Sequence, residues 1–314
     1  MKRTASKATA KKAATKKTAA KKAAVKKSGA KKSLVRTAAD YAGSWKIAAD
    51  RGATVKARVA ALGEVTRTMC DDDAAFHAVL DLLQDPDPAT PIPVRLAALQ
   101  ALQAASFSVV GFGARRGDYL AALRVVATDA DPELRQRVLG LLARESDAHA
   151  QQLLLDGLSN PRAALVPPEK ALQLLSYDPH SEAYAVARKV VSKPPSAVAR
   201  REALRLLAGD ATSVPIFEKV MADKSETPEV RKLSALALNT LAPAALQANA
   251  RRIVLDDDED PDMRATCLTA LTDVGDDATT AKDQALHRGV DAIRSNSKGA
   301  LQKGAKRFLA KFGR

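Results

Sequence analysis

Apolar residues recur through most of the chain at helical spacing, in a frame best seen from a basic residue followed by apolar residues four and seven positions later. Arg58 is followed by Leu62 and Val65, Arg95 by Leu99 and Leu102, and Arg135 by Leu139 and Leu142. Arg200 precedes Leu204 and Leu207, Arg231 precedes Ala235 and Leu238, and Arg264 precedes Leu268 and Leu271. Between Arg135 and Arg200 the same frame occurs as Leu172 and Leu175, with Pro168 at its head. Successive heads are 37, 40, 33, 32, 31 and 33 residues apart. Offsets of four and seven place these side chains on one helix face. A repeat of this length holds a helical hairpin, which buries its apolar face by stacking on its neighbours. No segment alternates with period two, so no strands are predicted.

Helix punctuation gives the same division. Asp85-Pro86-Asp87-Pro88, Asp129-Ala130-Asp131-Pro132, Thr227-Pro228 and Asp260-Pro261 precede heads of the frame. There Asp or Thr can cap a helix and Pro fits its first turn. Gly209-Asp210 and Gly275-Asp276 follow the frame in two repeats, offering a C-terminal glycine and an acidic start for the next helix. Reading outward from these signals predicts eight helix pairs, the first near residues 37 to 69 and the last near 278 to 312.

The unit from residue 207 to 241 carries Gly209, Asp210, Val214, Pro215, Asp223, Val230 and Arg231. These match the Gly-Asp, Val-Pro, Asp and Val-Arg landmarks of HEAT repeats, and the chain resembles that family, in particular the short bacterial HEAT-like repeats also found in phycobilin lyases. The stretches from Pro132 to Leu142 and from Pro261 to Leu271 repeat the second half of the pattern. The resemblance covers most of residues 54 to 275. It implies an all-α, right-handed solenoid of about seven to eight helical hairpins. It is strong for fold and weak for activity, because HEAT solenoids mostly serve as scaffolds and only occasionally as enzymes.

Charge divides the chain differently. The 314 residues carry a net charge of +14, yet residues 1 to 36 alone hold 14 Lys or Arg and no acid. Residues 37 to 281 are net −7 and residues 282 to 314 net +7. Three parts are therefore expected: a basic tail at 1 to 36, a solenoid at 37 to 281 and a basic C-terminal cap at 282 to 314. In the tail, Lys pairs stand at Lys11 and Lys12, Lys16 and Lys17, Lys21 and Lys22, Lys26 and Lys27, and Lys31 and Lys32. A step of five advances a helix by about 140°, so the pairs would spread around its axis, which disfavours an amphipathic membrane helix. The tail is expected to be disordered when free. Its pentads resemble the Lys/Ala repeats of linker-histone tails and of bacterial histone-like proteins. That likeness implies non-specific, salt-sensitive binding to nucleic acid, DNA before RNA.

The body offers little chemistry. Cys70 and Cys267 are the only cysteines and lie far apart, so neither a disulfide framework nor a zinc site is suggested. No stretch approaches eighteen consecutive apolar residues. Deoxyhypusine hydroxylases are HEAT enzymes that take their iron ligands from His-Glu pairs, and none of His77, His149, His180 or His287 is followed by Glu. HEAT-type DNA glycosylases use aromatic residues, whereas Trp45, the one tryptophan, is better placed as N-terminal packing. The acidic runs at Asp71 to Asp73 and Asp256 to Asp260 lack the glycine and distal glutamate of a calcium loop, and suit helix entries.

The recurring Arg58, Arg95, Arg135, Arg200, Arg231 and Arg264 have two readings. They form a structural ladder with the loop acids that accompany nearly every head, or a phosphate track reinforced by Arg137, Arg201, Arg205 and Lys232. The ladder is favoured. At the C-terminus, Leu301, Ala305, Phe308, Leu309 and Phe312 form a stripe that should dock on the last repeat, leaving Lys303, Lys306, Arg307 and Lys311 as secondary phosphate contacts. The expectation is thus a monomeric, non-enzymatic HEAT scaffold without metal, cofactor or membrane partner. It would bind an unidentified protein through its solenoid and nucleic acid through its tail, in a bacterial cytoplasm at the nucleoid or, alternatively, in a nucleus. The competing readings are a HEAT-type enzyme, lyase or DNA-glycosylase-like, whose tail only localises it, and a pure protein scaffold.

Overall fold

A computed structural model describes residues 43 to 313, and every regular element among them is a helix. Eight pairs follow one another, as the apolar frame read together with its punctuation predicts. They are α1 (Ser44–Ala49) with α2 (Val55–Val65), and α3 (Asp73–Gln84) with α4 (Ile92–Ala105). After the short α5 (Val109–Phe112) come α6 (Arg116–Val126) with α7 (Pro132–Arg144), and α8 (Ala148–Ser159) with α9 (Pro168–Leu175). Then follow α10 (Ser181–Ser192) with α11 (Ala197–Leu207), α12 (Val214–Ala222) with α13 (Pro228–Leu241), and α14 (Pro243–Val254) with α15 (Pro261–Val274). The short α16 (Asp277–Lys282) leads to α17 (Gln284–Asn296) and α18 (Gly299–Phe312).

The second helix of each pair packs on the second helix of the next, and the first helices form the other layer. This is an all-helical, HEAT-like solenoid. Between the layers runs one continuous apolar core, from Ala48 to Phe312. The residues four and seven after each head supply much of it: Leu62, Leu102, Leu139, Leu142, Leu172, Leu204, Leu207, Leu238 and Leu268 are all fully buried. The C-terminal stripe docks as its spacing predicts, with Leu301, Ala305, Phe308 and Phe312 buried where α18 packs on α15.

Capping follows the sequence at several starts. Asp72, Asp131, Thr227 and Asp260 each accept a hydrogen bond from the backbone N–H three residues on. Asp85 and Asp87 do not cap α4, because Pro91 precedes its first residue; they receive Arg51 at 3.0 and 2.8 Å. Gly275 takes an extended rather than left-handed conformation at the end of α15.

Candidate functional site

Each head arginine stands four residues into its helix, one turn beyond the cap. From there the Nε of five of the six reaches a carbonyl at the end of the preceding helix, where the last turn leaves acceptors without intrahelical donors, while Arg135 reaches forward to the Leu165 carbonyl instead. Arg58 Nε donates to the Ala48 carbonyl at 2.9 Å, Arg95 to Leu83 at 3.0 Å, and Arg200 to Val191 at 3.3 Å. Arg231 donates to Met221 at 2.8 Å and Arg264 to Val254 at 3.1 Å. The remaining guanidinium nitrogens meet the loop before the next second helix or the helix's own entry loop: Arg58 at Thr90, Arg95 at Asp129, Arg200 at Glu226, Arg231 at Glu259 and Arg264 at Asp257. The arginines thus tie one hairpin to itself and to its neighbour. Arg137, Arg201 and Arg205 are also paired, with Glu133, Glu229 and Glu202.

The acids of the ladder respond to this setting. Burial pushes Asp129 upward, but hydrogen bonds from Arg95 and the Asp131 amide, with the charges of Arg95 and Arg135, hold its carboxyl below the usual range. Glu259 is held low first by its hydrogen bonds to Arg231, and Asp283 likewise by Arg251. A carboxyl whose pKa is depressed on folding stabilises the fold fully above its unfolded value and loses that contribution as pH falls through the folded one. Thermal stability followed by circular dichroism should therefore be nearly level from neutral pH down to about pH 5 and decline steeply below about pH 4.

The ladder breaks once, at α9. With Pro168 as head, Ala171, Leu172, Leu174 and Leu175 keep the core register of the other second helices. The turn that should precede the head is missing. Each proline drives the residue before it out of the helical region, so Pro167 is extended and α9 begins only at Pro168. It has 8 residues where α4, α13 and α15 have 14. No guanidinium reaches from this position, and the loop before α11 offers Lys193 where other loops offer an acid.

A cleft of about 1080 Å³ opens where that arginine and that turn would lie. One wall is the end of α8 and the turn after it, Leu158, Ser159, Pro161 and Ala164; the floor is Leu165, Val166, Pro167 and Pro168; the other wall is Val186, Val190 and Pro195 from α10 and its loop. Gly157 lets the turn lie against α8, since a Cβ there would stand 3.0 Å from the Ala164 Cα. Arg135 secures the floor from the neighbouring hairpin, donating from Nε to the Leu165 carbonyl at 2.7 Å and from Nη1 to the Asp129 carbonyl at 2.6 Å. Arg188 is engaged by Asp210 and by Thr212 Oγ1 at 3.1 Å. Asp210 is itself held below the usual carboxylate range: burial raises it, but hydrogen bonds from Ser213 and Thr212 and the Arg188 charge prevail. The ammonium groups of Lys189 and Lys193 stand exposed at the rim without an ion-pair partner among the described residues, and no acid lines the cleft.

The other predicted sites fare differently. The paired lysines from Lys11 to Lys32 lie outside the described residues. Arg307 pairs with Asp273 at 2.6 Å, while Lys311 meets the Thr272 carbonyl at 2.8 Å and Asp277 at 2.9 Å, so both tie α18 to the hairpin before it; Lys303 and Lys306 are exposed. The acidic runs serve the ladder and the helix entries: Asp73 pairs with Arg115, Asp256 with Lys224, and Glu259 with Arg231. His77, His149, His180 and His287 sit in four different hairpins, and no group of three or more metal-ligating side chains converges among the described residues. Burial pushes the Cys267 thiol up to about 12, which leaves it protonated and unreactive at neutral pH. The cleft itself went unpredicted. Its signals in the sequence were Pro167-Pro168 and Lys193, each replacing what the repeat supplies elsewhere.

No family model and no curated protein matches the chain. Among solved structures it is similar to human deoxyhypusine hydroxylase in complex with glycerol, at 16% identity and a TM-score of 0.32 over 80% of this chain and 98% of that one. That protein is an enzyme. The expectation of a non-enzymatic scaffold is corrected on this point, and the HEAT-type enzyme that stood as its alternative agrees better with the comparison. The likeness lies in the helical-repeat fold and brings no reaction to this chain, whose four histidines do not meet.

Proposed function

We propose that the chain is a HEAT-type enzyme of the lyase kind and that the cleft between α8 and α10 is its substrate site, taking a small molecule with an apolar body and an anionic group. The observation that carries this reading is the break in the ladder. Elsewhere one arginine fills this space; here an open, largely apolar hollow with two unpaired cations at its rim takes its place. A ligand's apolar body would lie on Leu158, Leu165, Val186 and Val190, removing their surface from water. Its anionic group would meet Lys189 and Lys193, where charge-assisted hydrogen bonds orient it.

The side chains available determine what the site can contribute. Ser159, Ser192 and the cations bind, orient and stabilise negative charge, while the apolar walls exclude water. The lining holds no carboxylate or imidazole for proton transfer, which suits a reaction in which a bound molecule is presented to an acceptor that supplies its own nucleophile. The short HEAT-like repeats of phycobilin lyases, which the sequence resembles, point to a linear tetrapyrrole with carboxylate side chains as a first ligand to try.

Titration with biliverdin, followed by absorbance, tests this directly. Saturable binding to the wild type is expected, with the dimethyl ester at least about tenfold weaker, as is typical when a charge-assisted contact is lost. Replacing Lys189 and Lys193 together by glutamate should weaken the acid to the level of the ester without changing thermal stability, since both side chains are exposed. Equal binding of acid and ester would refute an anion site. Failure of biliverdin together with saturable binding of a simpler probe such as anilinonaphthalene sulfonate would retain the cleft and reject the tetrapyrrole.

A further inference from the structure

We infer that the cleft takes a dianion, with Arg135 holding a second anionic group from the hairpin on the other side of the cleft from Lys189 and Lys193. This rests on the cleft being the substrate site, and it deepens that reading by naming the charge the ligand carries and the residue that selects for it.

The ladder supplies its own comparison. Arg95, Arg200, Arg231 and Arg264 each meet a carboxylate directly. Arg58 does not, but it is only 1% exposed and gives Nε, Nη1 and Nη2 to Ala48, Ala89 and Thr90. Arg135 differs from both kinds. It is half-buried, and its partners are the carbonyls of Leu165, Asp129 and, at 3.4 Å, Ala130. Asp129, the acid beside it, turns its carboxylate to Arg95 instead. Carbonyls satisfy N–H donors without cancelling the charge. The Nη2 of Arg135 has no partner among the described residues and is not sealed from solvent. It is thus a fixed guanidinium with a donor to spare.

Its position gives that donor a use. Arg135 is the only residue of α7 that lines the cleft, so its side chain is what α7 sends there. The cleft itself belongs to the α8–α9 hairpin, Arg135 to the hairpin before it, and Lys189 and Lys193 to the hairpin after it and its loop. Cations therefore approach from both neighbours, with the apolar Leu165, Val166 and Pro167 of the α8–α9 connection also in the lining. A monoanion held by the rim lysines would leave the Arg135 donor to water. A ligand with an apolar body and two anionic groups engages both sides. The two cationic positions also differ in kind: the lysines are mobile point charges, whereas Arg135 is held by its carbonyls before any ligand arrives and so loses less freedom on binding.

Fluorescence titration of the full chain with anilinonaphthalene sulfonate, a monoanion, and with its dimeric form, which carries two sulfonates, tests the inference. Lys189→Glu with Lys193→Glu identifies the part of each signal that comes from the cleft. Arg135→Gln should weaken the disulfonate at least about tenfold and leave the monosulfonate within about twofold. Arg135→Lys, which keeps the charge and a donor for the floor carbonyls, should hold the disulfonate within about threefold of the wild type. Disulfonate binding undiminished by Arg135→Gln would overturn the inference, and the cleft would stand as a monoanion site if the lysine replacements still abolished binding. Equal weakening of both probes would also overturn it, because Arg135 would then only shape the floor. Failure of either probe to bind the wild-type cleft would remove the anion site and this inference together.

Discussion

Replacing Glu259 by alanine should destabilise the protein by about 3–5 kcal/mol, the usual cost of leaving one member of a buried ion pair alone. Arg231 and Glu259 are the most enclosed pair of the ladder, each side chain only 3% exposed, with two parallel hydrogen bonds of 2.6 Å between them. The arginine also donates to the Met221 carbonyl at 2.8 Å. Without Glu259 its charge would remain in an apolar setting with one carbonyl for a partner. Because a solenoid transmits stability between nearest neighbours, the loss should concentrate where the α12–α13 hairpin meets the α14–α15 hairpin. Urea unfolding gives its size, and amide hydrogen exchange gives its location. Replacing both residues with apolar side chains of similar volume, Arg231→Met with Glu259→Leu, should recover most of the loss. A single variant as stable as the wild type would show that the pair does not hold the two hairpins together.

Restoring the ladder at α9 should close the cleft. Pro167→Ala combined with Pro168→Arg permits α9 to begin a turn earlier and sends a guanidinium toward the carbonyls at the end of α8. The expected result is at least a tenfold loss of affinity for the cleft's ligand, equivalent to about 1.4 kcal/mol or more. Stability should stay within about 1 kcal/mol of the wild type, since the new hydrogen bond is offset by the approach of Lys193. Ligand titration and thermal unfolding of the same sample check both halves. Undiminished affinity would place the ligand elsewhere.

The two variants touch features of very different legibility. Arg231 could be picked out from its helical frame, and its loop acid from the Asp- and Glu-rich stretch 28 residues on. Which acid it takes could not: Asp256, Asp257, Glu259 and Asp260 stand together, and only the loop's path sends Glu259 to Arg231, Asp257 to Arg264 and Asp256 to Lys224. Pro168 was visible as an exception without an evident consequence, because the loss of a side chain becomes a cavity only when the surrounding hairpins are in place. Phe107, Val109 and Val110 are exposed while Phe112 beside them is buried. Their exposure follows from Phe112 being taken into the core, a choice between neighbouring residues that local spacing does not make.

The sequence by itself determined the repeat, the number of hairpins, the core-facing positions and the partition of charge. These depend on periodicity and composition, which are local properties of the chain. The tertiary structure decided which acid each arginine meets and where the missing arginine leaves a hollow. Both depend on how loops and helix ends distant in sequence lie relative to one another, and that is fixed only when the hairpins stack.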